Sequence, residues 1–443
     1  MYWLAHRCDC NRQTCEHTSH RIHCVIKRSI ASIVDQALLS VLNFGIGVYL
    51  ITYAAKDVYG LYVQLFAVGV LLCGVVDALI GNGVANLSSR VSEHELSEAV
   101  ADAQVLARAM GLCLGALSFV GAWVLLAQDG HSGNGWATSL SFAAYIVSLT
   151  FRDFKRVSLY LGQRATEVLR LDFSFTVCAV AGGALLHASG KATVGQVFAV
   201  LCAANAIATL TTARVSTITK WPGFGALWTR FKQFWVITRW ALPGLGTGWL
   251  GNSAYLYIAG FTLGLAATAE LNASRLLLMP VTLLSVAWQQ MARADVARLV
   301  GEGQRQRFVG FLAKSAVVIA APTALYLLML YGLFDHIVGF GSLKTYANLT
   351  YLLQFWVIYM LMYTVKSVGT SLLVGFEAYK PLLKMSVASL TLQLALLWWL
   401  PGRFGVEAVI WCLLASEALE LMTVWLLLLP RYLRKLSPKA ATD

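Results

Sequence analysis

The chain has 443 residues, of which 58% are hydrophobic, 12% aromatic and 13% charged, with a mean hydropathy of +0.66 and a formal net charge of +12. A soluble domain carries about 25% charged residues, so the composition excludes a water-facing globule, a disordered chain and a disulfide scaffold, and calls for a bilayer as solvent. The positive charge does not indicate nucleic acid, because Lys and Arg fall between apolar runs instead of on one face; they read as topology signals.

Residues 1–29 form a polar leader that reads as disordered. It holds Cys8, Cys10, Cys15 and Cys24 with His6, His17, His20 and His23. Their spacing matches no familiar zinc frame, so a non-native leader preceding an initiator at Val25 is favoured over a metal site. The first apolar run is too long for a cleavable signal peptide. From there, twelve runs are long enough to cross a hydrocarbon core of about 30 Å as helices. They are 30–53, 58–81, 109–127, 137–158, 172–188, 195–217, 241–264, 268–290, 311–333, 347–372, 379–399 and 405–429. The runs are continuously apolar, which favours helices over barrel strands. Before the third run, Ser92 and Glu95 form a capping box that opens a mixed-charge helix, read as lying on the cytoplasmic surface.

Loops alternate between short and long. All but six of the 34 Lys and Arg residues lie on the long-loop side. That count places Arg152, Lys155 and Arg156 in or beside a cytoplasmic loop. The exceptions are Lys56, Lys191, Lys344 and Arg403 in short loops, and Arg275 and Lys366 inside runs. The asymmetry puts both termini in the cytoplasm. Pro222 divides the chain into two six-helix lobes, 30–222 and 223–430, followed by a basic tail, 431–443. A pair of parallel repeats of this kind is a transporter architecture. No loop is large enough for a catalytic domain, and no motif for metal or phosphate chemistry is present, so neither an enzyme nor a cofactor is expected.

Ionisable groups inside runs mark candidate sites, since each costs about 2.5–3.5 kcal/mol at a helix centre. Asp35, Asp77, Glu417 and Glu420 are candidates for ion coupling. Glu417 and Glu420 share a helix face, and two carboxylates in low dielectric can hold a proton. They can equally form a structural pair with Lys366, and Asp35 can simply cap the first run. Arg275 and Lys366 are candidates for anion binding; the guanidinium suits phosphate bidentately, with Glu270 as an alternative local partner of Arg275. Asn43, Asn252 and Tyr359 are candidate substrate contacts, against the alternatives of interhelical glue and an aromatic belt. Pro243, Pro280 and Pro322 interrupt the backbone ladder, as hinges or as static kinks.

Three stretches carry a family resemblance. They are Asp35-Gln36-Ala37 with Asn43-Phe44 and Val58-Tyr59-Gly60-Leu61-Tyr62; Arg152-Asp153-Phe154-Lys155-Arg156 with Leu161-Gly162-Gln163-Arg164 and Asp172; and Leu271-Asn272-Ala273-Ser274-Arg275 with Pro280-Val281. Over about 30–430 the chain resembles bacterial polysaccharide exporters of the O-antigen flippase type, within the multidrug/oligosaccharidyl-lipid/polysaccharide (MATE-like) superfamily. The resemblance implies an all-α, twelve-helix inner-membrane protein that flips an undecaprenyl-diphosphate-linked oligosaccharide by alternating access. Arg275 and Lys366 would then meet its anionic headgroup. It also implies membrane lipids as surroundings and a polysaccharide polymerase and glycosyltransferases as partners; for the oligomeric state, which the sequence leaves open, a monomer is the default. A cation-coupled multidrug exporter is the alternative, and a membrane-embedded glycan polymerase or ligase a more distant one. The first run holds no Pro, and the first two hold no Arg, unlike the multidrug and lipid II branches respectively.

Overall fold

A computed structural model describes residues 18–87, 91–128, 135–162, 164–190, 192–212, 223–239, 241–302, 305–339, 349–376 and 378–434. Every regular element among them is a helix, and the described chain divides into two compact units, one up to Trp249 and one from Leu250 on.

The first unit begins with α1 (Thr18–Tyr53) and α2 (Lys56–Val76), a π-helical turn at Asp77–Gly81, and α3 (Asn82–Leu87). Then follow α4 (Glu93–Gln128), α5 (Gly135–Leu161), α6 (Ala165–Ala188), α7 (Val194–Thr211) and α8 (Phe224–Thr238). Its core joins Val76, Ile80 and Val84 to Ala103 and Ala107 of α4, Phe154 of α5 and Phe234 of α8. Small residues allow close helix approach: a Cβ on Gly115 would strike Val147, and one on Gly182 would strike Val200. A second cluster stacks Phe142, Tyr145 and Tyr62 around the fully buried Phe198.

α9 (Ala241–Leu263) leads into the second unit. There α10 (Leu265–Leu276), α11 (Met279–Glu302), α12 (Arg305–Gly339), α13 (Leu349–Gly375) and α14 (Tyr379–Trp399) precede α15 (Pro401–Phe404) and α16 (Val406–Met422). A π-helical turn at Thr423–Leu428 and α17 (Leu429–Leu433) end it. Trp288, Val296 and Leu299 of α11 pack with Ile319, Leu372 and Leu429. Gly264 (φ 90°) and Gly405 (φ 75°) make the tight turns before α10 and α16, a backbone region that an L side chain rarely adopts.

Nine helical segments among the described residues are long and apolar enough to cross a membrane. The exterior is correspondingly apolar: Phe261 is 86% exposed and Leu210 84%, the arrangement a hydrocarbon solvent permits. Three expected runs are helical but fall outside that group. For 137–158 the reason is charge, since α5 carries Arg152, Asp153, Lys155 and Arg156. The run 241–264 matches α9, which is rich in Gly and polar residues.

The run 268–290 is two helices. Pro280 has no N–H to continue the ladder, and α10 stops at Leu276 while α11 starts at Met279. Tyr326 Oη donates to the Leu277 carbonyl at 2.6 Å and satisfies the break. Pro322, by contrast, lies inside a continuous α12.

Other boundaries also move. α1 begins at Thr18, so residues 18–29 of the expected leader are helical; 1–17 lie outside the described residues, as does 435–443 of the tail. The Ser92–Glu95 capping box forms, with Ser92 N–H donating to Glu95 Oε2 at 3.1 Å, but the helix it opens runs unbroken into the third span as α4. The boundary between the two units lies at 249/250, beyond Pro222 in the chain. The physical reason is α8, which packs on the first unit through Phe234 and through Arg230, 3.0 Å from Asp102. Trp249 follows it, donating to the Ala67 carbonyl at 2.8 Å.

Candidate functional site

Within the first unit, α1, α2 and α5 enclose a cavity of about 450 Å³. Asn43, Asp77, Arg152, Asp153 and Arg156 line it. The two arginines, expected in or beside a cytoplasmic loop at the end of the run 137–158, lie on α5, with Arg152 buried and Arg156 17% exposed. Their i, i+4 spacing puts both on one helix face, turned toward Asp35 on α1 and Asp172 on α6. Both acids are fully buried. Arg156 donates to Asp35 Oδ2 at 2.9 Å and lies 2.6 Å from Asp172 Oδ2. Tyr160 Oη donates to the same Asp35 oxygen at 2.9 Å. Arg152 is 3.9 Å from Asp172 and 3.4 Å from Asp153, with its guanidinium 3.8 Å over the Phe175 ring. Cys73 donates its S–H to Asp153 at 2.9 Å.

Lys155, on the neighbouring face of α5, donates to the Thr209 and Thr212 carbonyls at 2.7 and 3.1 Å. It thereby satisfies orphan acceptors at the C-terminal end of α7, where a cation also complements the helix dipole. These basic residues hold helices together, whereas the sequence assigned them to topology.

Asp77 is different from Asp35. It has no ion pair among the described residues and sits at the π-helical turn, where Asn82 N–H reaches back to its carbonyl. A Cβ on Gly81 would collide with the Asp77 carboxylate, so the glycine is what lets this side chain fold back along its own helix. π-turns of this kind recur at functional sites.

The second unit holds the other candidates in two linked groups. Arg275 is in the last turn of α10, beside the break that Pro280 imposes. Its Nη1 donates to the Asn252 carbonyl and to Tyr255 Oη, both at 3.1 Å. The guanidinium lies 5.8 Å from the Tyr255 ring and 5.7 Å from that of Trp356. Trp356 is fixed by its own bond to Ser274 Oγ at 2.9 Å, and Tyr359 stands edge-on to it at 5.3 Å. Arg275 thus has an aromatic cage, and no ion pair to a carboxylate is among its contacts with the described residues.

Lys366 on α13 has two. It is 2.7 Å from Glu417 Oε1 and 2.7 Å from Glu420 Oε2, the pair on one face of α16. All three are largely buried, at 12%, 5% and 17% exposure, two carboxyl groups against one ammonium. Lys366 is therefore neutralised where a free cation was expected, and the alternative of an ion pair is the arrangement observed.

The structure brings Arg275, Asn252 and Tyr359 to one place and Lys366, Glu417 and Glu420 to another; Asp35, Asp77 and Asn43 belong to the first unit. Several participants had not been singled out as site residues, among them Arg152, Arg156, Asp172 and Trp356. A signal for the first three existed, namely two arginines four apart with buried-run acids at 35 and 172. Trp356 had none, being one of 14 tryptophans.

No known family profile matches the sequence, and no curated protein does. Solved structures do match in fold. A multidrug resistance MATE family transporter of the MOP superfamily, in its inward-facing conformation, aligns with TM-score 0.73 at 12% identity, over 90% of this chain and 96% of that one. The lipid II flippase MurJ, in an inward closed conformation, aligns with TM-score 0.70 at 12% identity, over 90% and 86%. A MOP superfamily transporter from Pyrococcus furiosus, described by a reversed polarity of its binding pocket, gives 0.63 at 12% identity over 93% and 96%. The chain has the MATE fold, on a polytopic membrane protein.

Proposed function

We propose that this chain is an inner-membrane flippase for an undecaprenyl-diphosphate-linked oligosaccharide, with twelve spans, both termini in the cytoplasm and transport by alternating access. MATE transporters are solved in inward-facing and outward-facing conformations, which supports that mode. The observation that carries the substrate class is Arg275: a half-buried guanidinium caged by Tyr255 and Trp356, with no ion pair to a carboxylate among its contacts with the described residues. Such a group offers a fork for a diphosphate and aromatic faces for sugar rings. Moving those polar groups through hydrocarbon unaided would cost several kcal/mol for each lost hydrogen bond; fixed donors replace the lost hydration. Asn252 and Tyr359 belong to this contact, and Asn43 supplies an amide in the first unit.

The acids divide by what already occupies them. Resident guanidinium groups fill Asp35 and Asp172, which disfavours a cationic drug as cargo. Asp77 keeps the ion-coupling role in the first unit. In the second, protonating Glu417 and Glu420 would release Lys366 to meet the anionic headgroup, which joins the coupling ion to the substrate. Glycosyltransferases and a polymerase acting before and after the flip are the expected partners.

The test is a deletion strain scored for surface polysaccharide and for lipid-linked intermediate on the cytoplasmic leaflet. Loss of polymer with accumulated intermediate is expected, restored by the wild-type chain and not by Arg275→Ala at equal protein level. Normal polymer in the deletion strain overturns the reading.

A further inference from the structure

We propose that α8 lies in the membrane–water interface, on the side where α4 begins, and docks there on anionic lipid headgroups through Trp228, Phe231, Trp235 and Lys232. At 15 residues α8 is about 22 Å long, too short to span the core, and it carries Arg230 and Lys232. Two independent rulers fix its depth. Arg230 is tied to Asp102, seven residues or about 10 Å beyond the apolar stretch of α4 that starts at 109. Thr238 Oγ1 donates to the Leu79 carbonyl at 3.2 Å, and Leu79 lies 23 residues, about 35 Å, along from Lys56 at the opposite end of that span. Arg230 therefore lies outside the apolar stretch of α4, and Leu79 lies as far from Lys56 as a hydrocarbon core of about 30 Å is thick.

The faces of α8 are arranged to match. Arg230, Phe234 and Thr238 form the stripe against the unit, with Phe234 1% exposed. About a quarter-turn round lies a stacked row: Trp228 on Phe231 at 5.7 Å and Phe231 on Trp235 at 6.2 Å. Trp228 is nevertheless 50% exposed and Trp235 40%, as is Val236 at 66%. Further round still, Lys232 holds its ammonium 5.6 Å over the Trp228 ring. Protein contact, aromatic row and cation follow one another around the helix. That order places rings at the acyl boundary and the charge among headgroups, as in interfacial amphipathic helices. The cation selects for anionic headgroups.

The test uses the full chain reconstituted in phosphatidylcholine vesicles containing either brominated phosphatidylglycerol or brominated phosphatidylcholine, read by tryptophan quenching. Wild type should be quenched more by the anionic lipid. The doubly substituted Trp228→Phe, Trp235→Phe chain should lose at least half of that excess. Lys232→Glu should lose a comparable part, and Lys232→Arg should keep it. Lys232 is exposed, so its variants report docking without depending on the packing of α8. Equal quenching by the two lipids, or an excess that survives both the tryptophan pair and Lys232→Glu, overturns the proposal. Because the readout is lipid contact, it stands or falls independently of the cargo assigned above.

Discussion

Replacing Arg156 by Met tests whether buried charge is what locks α1, α5 and α6 together. Two fully buried carboxylates share this guanidinium at 2.9 and 2.6 Å. Asp172 would keep Arg152 at 3.9 Å, whereas Asp35 would keep no cation among the described residues, only the Tyr160 hydroxyl and the neighbouring Asp172 carboxyl. The penalty therefore falls mainly on Asp35. Removing one partner of a buried ion pair costs about 3–5 kcal/mol, while exchanging the whole pair for neutral groups is often close to neutral. At about 2–4 °C per kcal/mol for a unit of this size, the single variant should melt about 10 °C below wild type. Adding Asp35→Asn should recover at least half of the loss. Detergent-solubilised protein followed by size-exclusion thermostability measures both. The reasoning is refuted if Arg156→Met melts within about 2 °C of wild type, or if the second substitution lowers the midpoint further.

The remaining predictions concern the two candidate sites and one helix contact. Arg275→Lys keeps the charge but loses the planar fork, so transport should fall about tenfold, the equivalent of 1.4 kcal/mol, with unchanged expression; undiminished export would remove the anion contact. Pro280→Ala should let α10 and α11 join and swing Arg275 out of its cage, giving the export defect of Arg275→Ala without a lower melting temperature. Asp77→Asn should leave the melting temperature unchanged or raised, because no cation is lost, while uncoupling transport from its ion gradient; Gly81→Ala, which displaces the same carboxylate, should reproduce that uncoupling in a vesicle transport assay. Gly369→Ala would drive a Cβ into Val424 between α13 and the end of the last span, with an overpacking cost of about 1–3 kcal/mol visible as a lower melting midpoint.

Arginine at the end of an apolar run has two readings that look alike in one dimension. Arg152 and Arg156 counted as positive-side signals, and their position near a loop is real, yet both bend inward to acids 20 and 121 residues away in sequence. Lys366 shows the converse: placed within a run, it reads either as an anion contact or as a partner of Glu417 and Glu420, and α16 delivers both carboxylates to it. In both cases the deciding quantity is which helix lies beside which, and pairing between helices leaves no mark on the hydropathy of either. Asp77 and Arg275 stood out in the sequence only as ionisable groups inside apolar runs; the glycine four residues after one and the proline five residues after the other take on their meaning in the folded helices.

Chain chemistry by itself determined the class of solvent, the helical state of the described spans and the locations of the costly charges. Twenty apolar residues in succession have one low-energy solution in lipid, a helix that satisfies its own backbone. Tertiary packing alone decided which of those charges are consumed as fasteners and which stay available, leaving Arg275 in a ring of aromatics and Asp77 on a cavity wall. A buried ion is stabilised only by a partner within a few ångströms, and at that range the arrangement of helices sets the outcome.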